Sequence, residues 1–412
     1  MNILILGGAG RIGSAVAWDL VRNPKVQTVG IVDIREEPLQ NITKLLNSDR
    51  IKTHILDISD STESIKLMKQ YDVVVITLPD RMSSYKAIES AIEAGTSVVD
   101  ILEEYHRRPD LYETEGLAVP EGMSIHDYGE HLHNKAIEKG ITILDGMGLA
   151  PGLTNIATGE GIRKLDKAEI AVARVGGIPE KEASKKHPLK YMITWSFEHV
   201  LREYFVKLFI IKNGKSVEVD SLTERETFSF GEFGKSEELE CAITPGMPSF
   251  IYTRPELDYF AEKTVRWPGH YQAIENLKEC GLLDITPVEF DGKEIAPREF
   301  FNNLITPKLQ PKNGDTDISV MLNTITGMKD GKKVKVEYYM WDEADTENNI
   351  TSMARTTGFT AALGATLLAE GKITEKGIVP PEDCIKGDIY NYAITELEKR
   401  NIIIREVWSE ID

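Results

Sequence analysis

The chain has 412 residues, a formal net charge of −18 and 28% charged residues. That length exceeds one ordinary core and predicts two domains. The acidic balance excludes a surface built to hold nucleic acid or an anionic membrane, both of which need a basic patch.

The opening run Ile3–Leu6 is too short for a signal-peptide core, and no stretch reaches the roughly 20 apolar residues of a membrane span. Phe359–Ala369, the longest candidate, reads as a buried helix. Cys241, Cys280 and Cys384 lie far apart without a paired spacing. They read as reduced, buried thiols, so a cytoplasmic protein is expected.

In chain order, apolar β-branched runs occur at NILILGG, TVGIVDI, THILDIS, DVVVITL, TSVVDIL and ITILDGM, with helical patterns such as SAVAWDLVRN and YKAIESAIEAG between them. Strands apolar on both faces and joined by helices predict a doubly wound parallel α/β sheet. The first run ends in Gly8-Ala9-Gly10-Arg11-Ile12-Gly13, a GxGxxG between a strand and a helix. This pattern turns the backbone tightly, admits a pyrophosphate and packs helix on strand. Asp33 closes the second run about 20 residues on, where a carboxylate holds a ribose 2′-hydroxyl and repels a 2′-phosphate. The expected cofactor is therefore NAD, with NADP possible because Arg35 is near. Asp57 reads equally as an adenine-side contact or a strand-end turn residue. Leu78-Pro79 ends the fourth run where the nicotinamide half would pass.

The crossover from Glu103 to Gly140 is long; only Ile125–Lys139 looks helical, and the part from Glu103 to His126 reads as a functional loop. His126, Glu130 and His133 share a helix face, which reads as a polar face, and no metal site is expected. The segment Asp145–Asn155 then leaves a strand and enters a helix, so Gly148, Pro151 and Gly152 can set backbone amides beside a cofactor. After Pro151 the texture changes. Asn213-Gly214, Asp291-Gly292 and Asp330-Gly331 lie between alternating runs and predict hairpins. The expected architecture is a Rossmann domain over 1–150, completed by about 352–412, and an α+β substrate and dimerisation domain over 151–351 with a mixed or antiparallel sheet.

The GAGxxG start, GxAPGxxN in Gly148–Asn155, Val175-Gly-Gly-Ile-Pro179, Arg266-Trp-Pro-Gly-His270 and Ala354-Arg-Thr-Thr357 together resemble the saccharopine dehydrogenase-like family, nearest its lysine 6-dehydrogenase branch. The loop Glu103–His126, the stretch Thr244–Phe250 and Trp267-Pro268 depart from that branch. The resemblance implies NAD(P)-linked oxidation of an amino-acid C–N bond by a homodimer. On it, the leading expectation is oxidative deamination of the L-lysine ε-amino group. The alternatives are a saccharopine dehydrogenase, a polyamine-forming relative, or an NAD(H)-binding regulator without turnover.

Such chemistry needs a base within reach of the amine and an anchor for a carboxylate. The candidates for the base are Glu104, Asp100, Asp145 and His270; Glu104 also reads as a solvated loop acid and His270 as a bonded turn residue. Arg266 offers a planar fork to a carboxylate, or an interdomain ion pair. Arg174 and Arg355 are further anchors for a tricarboxylate such as saccharopine, and Trp195 and Trp267 are either pocket walls or core.

Overall fold

The six apolar runs form strands of one parallel sheet. In the computed structural model, which describes residues 1–110 and 117–411, the first half runs β1 (Asn2–Leu6), α1 (Arg11–Leu20), β2 (Thr28–Asp33), α2 (Glu36–Leu46), β3 (Ile51–Ile55), α3 (Ser61–Met68), β4 (Val73–Ile76), α4 (Arg81–Ala94), β5 (Ser97–Asp100), α5 (Ile125–Glu138) and β6 (Thr142–Leu144). Helix α5 forms over the stretch expected to be helical, and Ser124 and Asp127 close its start with a reciprocal capping box. Strands β1, β4, β5 and β6 carry Val, Ile and Leu on both faces because helices cover both sides.

The second half continues α6 (Leu153–Arg163), β7 (Lys167–Pro179), α7 (Lys181–Ser184), α8 (Phe197–Glu203), β8 (Lys207–Lys212), β9 (Lys215–Asp220), β10 (Glu226–Ser229), β11 (Glu238–Ile243), α9 (Phe250–Thr253), β12 (Tyr259–Arg266), α10 (His270–Glu279), β13 (Val288–Phe290), β14 (Lys293–Ile295), α11 (Pro297–Leu309), β15 (Asp317–Lys329) and β16 (Lys332–Glu343). Its large sheet has the order β10-β11-β12-β7-β15-β16-β18, the last being Arg405–Glu410, with β8 attached at β12 and β9 paired to β8. Only the β12–β7 pair in that sheet is parallel among the described pairings, so the sheet is mixed. All three Asx-Gly turns close hairpins with positive φ at both residues, for example 54° at Asn213 and 67° at Gly214. This is the type I′ geometry that Asx-Gly pairs adopt without strain.

The tail divides. Helix α12 (Ser352–Ala369) packs on α1, and β17 (Gly377–Val379) adds to the first sheet beside β6. After α13 (Pro381–Cys384) and α14 (Asp388–Lys399), β18 (Arg405–Glu410) pairs with β16 in the second sheet instead of completing the first. Helix α12 thereby sits at the joint, and one apolar core runs from Ile3 and Val16 through Phe359 to Ile325 and Tyr338. No helix among the described residues is long and apolar enough to cross a membrane.

Candidate active site

A cleft of about 510 Å³ opens at the carboxyl ends of the first sheet and extends over the second, the usual place for a ligand in a doubly wound fold. Its floor on the first-domain side is Gly7, Gly10, Arg11, Ile12, Asp33, Arg35, Leu78 and Pro79. The glycines divide the work differently from their order in the motif. Gly7 supplies the left-handed turn, with φ of 72°. A Cβ on Gly8 would lie 2.7 Å from Ile31, and one on Gly13 would lie 2.5 Å from the Gly7 carbonyl. Gly8 and Gly13 are therefore close-packing positions behind the cleft, while Gly10 is on it. Helix α1 begins at Gly10 with no side-chain cap, leaving its first N–H groups for an anion.

Asp33 faces the cleft, accepts the Arg35 N–H at 3.1 Å and has the Arg35 guanidinium at 3.6 Å. The glycine shelf, the open helix end and Asp33 together fit a dinucleotide. Arg11 also reaches across the joint, donating to the Thr194 carbonyl at 3.0 Å. Asp57 is exposed, and among the described residues it bonds only its own turn, through the Ser59 N–H at 2.9 Å, and does not line the cleft.

Gly148, Pro151 and Gly152 stand behind the wall; Leu149 and Ala150 are the residues of this turn that face the cleft. Gly152 has φ of 132°, and a Cβ there would lie 2.1 Å from the Gly148 carbonyl oxygen. Asn155 fixes the turn, accepting the Gly152 N–H at 3.0 Å and donating to Glu382 at 3.0 Å. Gly152→Ala is expected to destabilise the protein by at least about 2 kcal/mol, since a strained φ adds to a backbone clash. A thermal midpoint equal to the wild type would contradict this packing.

The base candidates read from the sequence are not at the cleft. Glu104 turns inward, is buried and pairs with Arg81. Asp145 accepts from His106 twice, from the ring at 2.6 Å and from the backbone N–H at 2.8 Å. Asp100 accepts from Ser84, whose oxygen is 3.1 Å from the other nitrogen of His106. Burial alone would lower His106, but the Asp145 carboxylate overrides it and lifts its pKa to about 9. His106 is therefore a buried imidazolium between acids, and this network carries the Arg81 and Glu103 segment.

His270 is also wholly buried. Its ring nitrogens meet the Leu189 carbonyl at 2.8 Å and the Tyr204 hydroxyl at 3.0 Å. Burial and then the Arg266 charge push its pKa down to about 3, so it stays neutral. It supports Tyr204, which in turn accepts from Arg266 at 3.0 Å.

What does face the inner cleft is a set of three carboxyls with two guanidinia, Arg266 and Arg81, the latter paired with Glu104. Glu103 lies one residue before the predicted acid, Glu203 ends α8, and Glu262 and Arg266 lie on β12. Glu203 hydrogen-bonds Glu103. Burial first, opposed by Arg266, raises Glu203 to about 7. Burial and then Glu203 hold both Glu103 and Glu262 well above the usual carboxylate range. The alternation of β12 carries a signal for part of this set: Glu262, Thr264 and Arg266 at every second residue put three polar groups on one strand face. Gly176 and Gly177 let that strand and α12 approach; a Cβ on Gly177 would lie 2.2 Å from Met353.

The remaining predicted residues are placed elsewhere, apart from Trp195. Trp195 lines the cleft and stacks on His199 at 6.0 Å. Trp267 is core, donating to the Pro179 carbonyl at 2.8 Å. Arg174 pairs with Glu226 at 2.7 Å and Arg355 with Asp342 at 3.1 Å, neither on the cleft. Glu130 pairs with Arg107 at 3.0 Å, and His133 accepts the Ile378 N–H at 3.1 Å. Of the expected loop from Glu103 to His126, residues 111–116 lie outside the described residues.

Residues 3–144 match the family model described as the saccharopine dehydrogenase NADP binding domain, and residues 148–403 match its C-terminal domain. Carboxyaminopropylagmatine dehydrogenase of Synechocystis sp. is 22% identical over 93% of this chain and 93% of its own. The NADP(+)-linked, L-glutamate-forming saccharopine dehydrogenase of Saccharomyces cerevisiae is 24% identical over 76% of this chain and 65% of its own. An apo structure of L-Glu-forming saccharopine dehydrogenase from that yeast has the same fold, with a TM-score of 0.77 at 20% identity over 99% of both chains. Both halves of the chain thus belong to the saccharopine dehydrogenase family of NAD(P)-dependent oxidoreductases, and the glycine shelf with its neighbouring Asp33 fits their coenzyme.

Proposed function

We propose that the protein oxidises or reduces the C–N bond of an amino acid that carries one carboxylate and a cationic far end. NAD(P), when bound, supplies the hydride chemistry. The observation that carries the reading is the lining of the inner cleft: the carboxyls of Glu103, Glu203 and Glu262 beside Arg266, with Arg81 paired to Glu104. A substrate with three carboxylates would meet those three acids beside Arg266. The extra anchors it would need, Arg174 and Arg355, are engaged with Glu226 and Asp342. Saccharopine is therefore the weaker fit.

Two substrates meet the description. L-lysine is one, losing hydride from the carbon that bears its ε-nitrogen. The other is a secondary amine joining an aminocarboxypropyl group to agmatine, a reading supported by the full-length similarity to carboxyaminopropylagmatine dehydrogenase. In either case Arg266 orients the carboxylate through its Nη2, the group without a protein partner among the described residues. The test is reduced-nicotinamide absorbance with purified protein. L-lysine and saccharopine are offered with NAD(P)+, and agmatine plus a four-carbon amino-acid aldehyde with NAD(P)H. Turnover with either of the cation-ended substrates supports the reading. Turnover with saccharopine alone overturns it, and coenzyme binding without any turnover returns the chain to a sensor.

Coenzyme choice rests on Asp33. We infer a preference for NAD, because the carboxylate repels a 2′-phosphate and Arg35 is already held against it. Asp33→Ala is expected to weaken NAD by about 10–100-fold, the loss of a hydrogen bond to a charged group, and to narrow the NAD/NADP ratio. Unchanged dissociation constants for both coenzymes would remove Asp33 from this role.

A further inference from the structure

We propose that the Glu103–Glu203 pair, with Glu262 beside it, is the seat of the substrate's amine or guanidinium cation, and that this cation displaces a proton which the empty pair shares. The proposal rests on the reading of an amine-bearing substrate given above and names its anchor.

The geometry is that of two carboxyls from different elements meeting inside a cleft. Glu203 closes α8 and is buried; Glu103 comes from the segment after β5; they hydrogen-bond each other. Two carboxyls can hydrogen-bond only if one of them carries a proton. The groups facing Glu203 are Glu103, Arg81 from α4, Arg266 and Glu262 from β12, and the hydroxyls of Tyr191 and Tyr204. Arg81 is already paired with Glu104. Arg266 donates through Nε to Tyr204 and through Nη1 to the Val265 carbonyl at 2.9 Å, and its Nη2 has no protein partner among the described residues. Arg266 is 3% exposed and Glu262 4% exposed, and both line the cleft. Glu262 accepts only from Thr244, at 2.9 Å, among the described residues. The inner end therefore has unfilled valences of both signs: a donor for a carboxylate on one side and acceptors for a cation on the other.

The exchange balances without any co-reactant. The O–H bond between the pair breaks, the proton leaves to solvent, and the amine enters with its three N–H donors between two carboxylates. At neutral pH the proton is present to be displaced, because Glu203 titrates at about 7 and Glu103 and Glu262 well above the usual range. Binding should strengthen as pH rises through that region, up to the point where the amine itself loses its charge.

The experiment is calorimetric titration of the full chain with agmatine and with L-lysine, in two buffers of different ionisation heat, at about pH 6 and about pH 8. The expected result is proton release on amine binding at the lower pH, smaller release at the higher, and tighter binding at the higher. Glu203→Gln should lower amine affinity at least about tenfold and abolish the proton release, with NAD(P)H affinity unchanged as the check on folding. Amine binding without proton release at the lower pH, or binding undiminished in E203Q, would overturn the proposal, and so would failure of both probes to bind. Cation binding with proton release but no coenzyme turnover would sink the redox reading alone. Turnover on saccharopine with neither probe bound would sink this subsite as well as the proposed substrate class.

Discussion

Replacing Arg266 by methionine raises KM for the amino-acid substrate about 30- to 1,000-fold, the cost of removing one partner from a buried charged contact. Methionine keeps most of the apolar stem and removes the fork. The coenzyme shelf lies on the other domain, so NAD(P)H affinity should stay within about twofold. A second readout separates an anchor from a mere packing residue. Arg266 is the leading influence that lowers Glu203, against the burial that raises it. Its loss should therefore move the Glu203 titration upward from about 7, and the rising limb of kcat/KM should move with it. Arg266→Lys keeps the charge but not the bidentate geometry, and should restore the pH limb more fully than KM. An R266M protein with normal KM and an unmoved limb would place Arg266 outside the site.

The second large effect is on stability. His106 is a buried imidazolium between Asp145 and Ser84, with Asp100 beyond. His106→Ala leaves the buried Asp145 with the backbone N–H of residue 106 but without the imidazolium charge, which costs about 3–5 kcal/mol. The pH dependence has a definite sign. The folded pKa of about 9 lies above the unfolded value of about 6.5. The stabilisation is complete below the unfolded value and is lost as pH rises through the folded one. It amounts to about 3 kcal/mol across that window. Denaturant midpoints measured from neutral to alkaline pH should fall more steeply for the wild type than for H106A. Parallel curves would mean that the His106–Asp145 pair does not carry this charge. Since the network holds Arg81 and Glu103, H106A should also weaken amine binding beyond its effect on folding.

The fold was readable where local and long-range preferences agree. The six apolar runs could be strands of only one kind of sheet, and each Asx-Gly turn sits where a positive φ is needed at two successive residues. The helical stretch Ile125–Lys139 was readable for the same reason, and its first turn is closed by the local cap of Ser124 and Asp127. The tail was harder to assign. Nothing near Arg405–Glu410 says whether it will find the first sheet or the second, because the choice depends on the free edge of β16.

The site was readable on the coenzyme side and less so on the substrate side. GxGxxG and Asp33 belong to one strand–turn–helix unit and an adjacent strand, so spacing fixes their geometry. The acids after β5 are different. Glu103 and Glu104 are neighbours in a non-periodic segment, and the Arg81 pair draws Glu104 inward and leaves Glu103 on the cleft. Asp100 and Asp145 end strands pointing at the expected site, yet His106 holds them beneath it. His270 follows Arg266 closely in the chain but lies behind it, under Tyr204. Glu203 has no local signal, since a carboxylate ending a short helix is ordinarily a solvated one. Glu262 had one, the alternation of β12 shared with Thr264 and Arg266.

Hydride transfer at a carbon bonded to nitrogen is tested by following the hydride itself. The protein is incubated with NAD(P)H deuterated at C4, agmatine and a four-carbon amino-acid aldehyde, and the product is analysed by mass spectrometry. For the agmatine-type substrate the expected product is a secondary amine carrying a single deuterium on the new C–N carbon, lost from the coenzyme in equal amount. Deuterium on a carbon bearing a hydroxyl, with no amine product, would contradict it.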